Sequence, residues 1–160
     1  MRVIITVMLM TLLSSAAYAK CYTSKEVEAE QGIRIHSELM VIGLNCQHLW
    51  PKTDKNLYLQ YKDFTKKHAK VFAGYEDTML DFFSADGETS PELRLHQMRT
   101  DFANQISKDA ATMRPDAFCA MYAPRIPKAA KMDDAKIRKW ASTVFAGHPV
   151  SHGMCASTGK

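Results

Sequence analysis

The chain has 160 residues, 46% hydrophobic and 24% charged, with seven Gly, six Pro and four Cys. That profile excludes a disordered, collagen-like or low-complexity chain, and the length suits one domain with a core of its own. A formal net charge of +4 is too small to mark a nucleic-acid binder by itself.

The N-terminus reads as an address. Arg2 precedes an apolar run over residues 3–13, too short to span a bilayer, and Ala17-Tyr18-Ala19 forms the small-x-small site of a signal peptide. Residues 1–19 are expected to be cleaved off after Ala19, leaving a single domain over 20–160 in the periplasm or outside the cell. Lys20 ahead of Cys21 speaks against lipidation, which needs small residues there. No later stretch approaches transmembrane length.

Thr23-Ser24-Lys25-Glu26 is a capping box. It opens a helix expected over about 24–49, with Ile35, Leu39, Ile42, Cys46 and Leu49 on one face and Pro51 as its stop. Residues 39–44 are apolar around the whole circumference, so this end should be enclosed, and Gly43 should permit close approach of a neighbour. A second helix is expected over about 54–83. Leu57, Tyr61, Phe64, His68, Val71, Tyr75, Thr78 and Phe82 keep a four-three alternation, and Asp86-Gly87 forms the terminating turn.

Ser90-Pro91-Glu92 opens a third helix, with Leu95, Met98, Phe102, Ile106, Ala110 and Met113 inward. Pro115 must kink or restart it. A short helix follows over 117–121, then a linker over 123–127. Asp133 caps a last helix reaching about Ala146, expected to bury Ile137, Trp140, Ala141, Val144 and Phe145. From about Gly147 the chain is expected to be a flexible tail. No segment alternates as a strand should. The fold class is all-α: an antiparallel bundle of three long helices and one or two short C-terminal ones.

The four cysteines, widely spaced and without a C-x-x-C, exclude a thioredoxin motif and c-type haem attachment and read as structural disulfides. Cys21 and Cys46 flank one helix and stand about 37 Å apart at 1.5 Å per residue, far beyond the reach of a bridge. In an up-down bundle the third helix climbs back towards Cys46, which pairs Cys46 with Cys119. The extended tail then carries Cys155 to Cys21. Only a sharp turn at Pro115 would favour Cys21–Cys119 with Cys46–Cys155.

Three groups bear on function. His68 lies in a bundle interior, where His with Met98 or Met40 could ligate haem iron, though a hydrogen-bonded core histidine is the plainer reading. His148, His152 and Met154, beside Cys155, are ligand types that copper(I) takes. Arg125, Lys128, Lys131, Lys136, Arg138 and Lys139 outnumber Asp133 and Asp134, a patch suited to an anionic envelope component or an acidic envelope protein.

His36-Ser37-Glu38 places a nucleophile beside a base, but adjacent helical residues diverge. No nucleophile elbow, metalloprotease helix or phosphate-cradling loop occurs, and no pair of carboxylates is expected to meet in the core. No catalytic residue and no cofactor is assigned. The reading is an exported, non-catalytic binding protein of the bacterial envelope. The alternative is a metal- or haem-binding bundle using His68 or the His148/His152/Met154 group.

Overall fold

A computed structural model describes residues 20–49 and 55–156. The expected signal peptide and the Pro51 stop lie outside the described residues. The chain is all-α, and seven helices are described: α1 Ser24–Cys46, α2 Leu57–Lys67, α3 Ala69–Ala85, α4 Pro91–Thr112, α5 Pro115–Tyr122, α6 Arg125–Ala130 and α7 Asp134–Ala141. Among the described residues no helix is long and apolar enough to cross a membrane.

Helix α1 is the axis of the bundle and touches every other helix. Both halves of the Thr23–Glu26 capping box form, and fifteen of its 23 residues are buried. Gly43 lets α2 and α6 approach, since a Cβ there would meet Tyr58 Cα and Ile126 Cδ1 at 3.4 Å. Gly32 is tighter: a Cβ would lie 2.3 Å from the Tyr75 ring. The buried apolar side chains of all seven helices form one cluster around α1, each large side chain contributing about 1.5–3 kcal/mol by leaving water.

The second long helix is broken. His68 sits between α2 and α3 with φ −109° and ψ 21°, outside helical geometry. Its buried ring hydrogen-bonds through Nδ1 to Asp134 in the first turn of α7, which ties the break to a neighbouring element. The inward stripe nevertheless runs through: Tyr61, Phe64, Val71, Tyr75 and Phe82 are all buried. Asn56 caps α2, accepting from the N–H groups of Tyr58 and Leu59. α3 ends on Gly87 at φ +90°, and the N–H of Glu88 donates to Phe83 O while that of Gly87 donates to Ser84 O. This is the pattern of a glycine C-cap.

In α4, Leu95, Met98, Phe102 and Ile106 face inward, but the Ser90 side chain makes no capping bond. At Pro115 the helix restarts as α5. The segment expected as a linker is α6, with Pro127 in its first turn, where a missing N–H costs nothing. Three short C-terminal helices thus stand where one or two were expected. The last of them is also shorter than expected. Asp133 caps it by accepting from Lys136 N–H, but it ends at Ala141, and Val144 and Phe145 are exposed. There the hydroxyls of Ser142 and Thr143 both donate back to Lys139 O, a competition with helical bonding that these residues favour.

The two disulfides are those deduced from helix geometry. Cys46–Cys119 joins α1 to α5 with Cα atoms 5.5 Å apart, and Cys21–Cys155 joins the start of α1 to the last described residues with Cα atoms 4.9 Å apart.

Candidate functional site

The register of α1 places Glu30, Gln31, Arg34 and Glu38 at four- and three-residue steps, on one side of the helix. All four are buried, Glu30 completely. Two carboxylates are thus buried on this helix without meeting: Glu30 and Glu38 lie about two turns apart on one face, with Arg34 between them and 3.8 Å from Glu30.

What covers this face is residues 147–153, the segment expected as a flexible tail. Gln31 Nε2 donates to His148 O (2.8 Å), Arg34 Nη2 to Pro149 O (3.0 Å), and Ser151 N–H to Glu30 Oε1 (2.9 Å). The Ser151 hydroxyl is shared with Glu30 and Tyr22. Beyond it, Tyr22 N–H donates to Gly153 O and Cys155 N–H to Tyr22 O, a short parallel bridge beside the Cys21–Cys155 disulfide. The polar face of α1 therefore grips an extended strap largely through backbone groups, and the disulfide fastens the strap's end.

Glu38 is the hub at the other end of that face. Oε1 lies 3.0 Å from His148 Nδ1, and Oε2 accepts from Arg125 Nη1 at 3.3 Å. Burial pushes its carboxyl pKa up, against the opposing pull of His148, Arg125 and Arg34. The Arg125 guanidinium also lies 4.6 Å over the Tyr122 ring, a cation–π geometry. On one side of Glu38 and His148 opens a cleft of about 350 Å³, walled by Gln31, Arg34, Ile35, Arg125, Trp140, Thr143 and Phe145. On the other side lies a cavity of about 220 Å³ with Gln105, Asp109 and Tyr122. Glu38 and His148 line both.

The candidates read from the sequence are distributed differently. His148 belongs to the Glu38 hub. His152 packs between Tyr22 and Phe82, with ring centroids 4.7 and 5.1 Å away, and Met154 is exposed. Among the described residues no group of three or more His, Cys, Asp or Glu side chains is placed to hold a metal. His68 is buried, with Nδ1 on Asp134 and Nε2 without a partner.

In the basic stretch, Arg125 is engaged by Glu38, Arg138 by Glu28 at 3.2 Å, and Lys136 by Asp133 at 3.5 Å. Lys128, Lys131 and Lys139 are exposed, with no ion pair among the described residues. His36, Ser37 and Glu38 do diverge: His36 Nε2 lies 3.1 Å from the Tyr61 hydroxyl on α2, away from the Glu38 hub.

Sequence reasoning missed Glu30, Gln31, Arg34 and Glu38. A polar stripe on a helix ordinarily faces water. The signal available was the enclosure expected for residues 39–44: Leu39, Val41, Ile42 and Gly43 are buried although Leu44 is 43% exposed, and the burial extends down the same helix. No protein family, curated protein or solved structure matches this chain.

Proposed function

We propose that the chain is an exported, non-catalytic binding protein of the cell envelope, and that it binds at the cleft beside Glu38. The observation that carries this reading is the cleft itself. Its floor of charged groups is fixed by internal hydrogen bonds, while Trp140 is half-buried and Phe145 is 52% exposed on its wall. A concave, largely preformed site with an apolar wall and a few fixed polar groups is built for recognition. The His36-Ser37-Glu38 triplet is not assembled there, since His36 and Glu38 turn to different neighbours. Export is supported by the apolar leader and by two disulfides, which persist in oxidising compartments. Lys128, Lys131, Lys136 and Lys139 on α6, its C-cap and α7 favour an anionic partner.

The test is capture from a cell-envelope extract by the tagged chain with both disulfides formed. A retained component should be released at 1 M salt, where the screening length falls to about 3 Å, and lost when Lys128, Lys136 and Lys139 are replaced by Ser. Retention indifferent to both changes would overturn the anionic partner, and no retained component would overturn the binding reading. The metal or haem reading rests on His68, whose buried Nε2 lacks a partner while Nδ1 is held by a carboxylate, as a metal-ligating histidine is commonly oriented through its other ring nitrogen. Metal analysis and an absorption spectrum of protein from iron- and copper-fed cells test it.

A further inference from the structure

We propose that the cleft binds a carboxylate carried on an apolar body, the carboxylate competing with Glu38 for Arg125 and His148 and the body lying against Trp140 and Phe145. This rests on the binding reading above and names its ligand class.

The inventory of hydrogen-bonding groups points this way. Glu38 has both oxygens engaged. Arg125 uses Nη1 alone among its donors, and His148 uses Nδ1, leaving Nε2. Trp140 is half-buried on the wall. Arg125 therefore brings unused N–H donors to the wall, and a guanidinium fork matches a carboxylate in shape as well as charge. Glu38 already demonstrates the fit, for it is a carboxylate lying between Arg125 Nη1 and His148 Nδ1. A cationic ligand would face Arg125 and Arg34 together. The apolar half of the wall excludes a small, fully hydrated anion as the best occupant, because Phe145 and the Trp140 ring would stay wet. A volume of about 350 Å³ lies within the range of small-ligand sites.

The test is calorimetric titration of the full chain, both disulfides formed, with N-acetyl-L-phenylalanine, with its amide, and with a short peptide ending in a phenylalanine carboxylate. The acid should bind at least about tenfold more tightly than the amide, the factor expected for one charge-assisted contact. Arg125→Gln should lose about the same factor, and Phe145→Ser should weaken the acid too. Glu38→Gln should tighten it several-fold by removing the internal competitor, with circular dichroism confirming the fold of each variant. Binding of the free acid alone assigns a small metabolite, and tighter binding of the peptide assigns a chain terminus; either supports the proposal. Equal binding of acid and amide, Glu38→Gln weakening the acid, or no binding by either carboxylate would overturn it. If an envelope component is still captured in that case, the binding reading stands and only the ligand class falls.

Discussion

The carboxylate of Glu30 accepts from both the backbone N–H and the hydroxyl of Ser151, 121 positions further along the chain. Glu30 is completely buried, and Arg34 is its neighbour one turn on. Glu30→Ala would leave the Ser151 N–H unpaired and Arg34 without its carboxylate, a loss expected to cost about 3–5 kcal/mol. Ser151→Ala removes only the hydroxyl and should cost about 1 kcal/mol. Urea unfolding of the two variants gives the comparison, and equal effects would show that the strap contributes little.

Gly32 and Gly74 should respond oppositely to alanine. Both lie inside helices, where alanine is intrinsically favoured by about 1 kcal/mol. At Gly74 nothing lies within 4 Å of the new Cβ, so Gly74→Ala should stabilise by about that amount. At Gly32 the Cβ would strike the buried Tyr75 ring, whose hydroxyl is held by Glu28. Overpacking of that kind costs about 1–3 kcal/mol, so Gly32→Ala should lower the melting temperature.

His36 makes the protein sensitive to mild acid. Burial, with Arg99 nearby, pushes its pKa down from 6.5 to about 4, and Nε2 lies within reach of the Tyr61 and Thr65 hydroxyls, where a neutral ring can accept. Between these values the unfolded chain binds the proton that the folded one refuses. The stability present above pH 6.5 is therefore lost as pH falls towards about 4, by on the order of 3 kcal/mol. His36→Gln should flatten that part of the stability–pH curve. An unchanged slope in the variant would assign the acid sensitivity elsewhere.

The two disulfides should open in order. Cys21 is exposed and Cys155 half-buried, whereas Cys46 and Cys119 are both buried. A thiolate must reach a sulfur to exchange with it, so limited dithiol followed by alkylation should label Cys21 and Cys155 first. Each closes a loop of more than 70 residues, and losing either should cost about 2–5 kcal/mol. Simultaneous labelling of all four cysteines would mean that reduction proceeds through global unfolding.

The helical stripes were legible because they follow from local rules, and both disulfide pairings because helix length and up-down bundle order together leave one arrangement. The four-three stripe from Leu57 to Phe82 needs no knowledge of partners, and a rigid helix between Cys21 and Cys46 eliminates one of three pairings by distance. The break at His68 was not legible, because the residue its ring engages, Asp134, lies 66 residues away. The end of α7 was misplaced because Val144 and Phe145 continue an apolar pattern that the structure leaves exposed on the cleft wall and beyond. The Glu38 hub stayed hidden for a related reason. Whether a polar face of a helix meets water or protein depends on what covers it, and here the cover comes from the far end of the chain.

That arrangement sets an order of events. Helix α1 is the first part of the described chain to be synthesised and the strap is the last, so the central helix cannot finish desolvating until residues 147–155 arrive. In any shorter nascent chain Glu30 lacks the Ser151 groups that satisfy its carboxylate, and Arg34 and Glu38 lack the Pro149 carbonyl and the His148 ring. The contacts that complete the fold are its most non-local ones, the kind that close slowly, and a chain cut short of Ser151 would present the bundle with a charged seam along its axis.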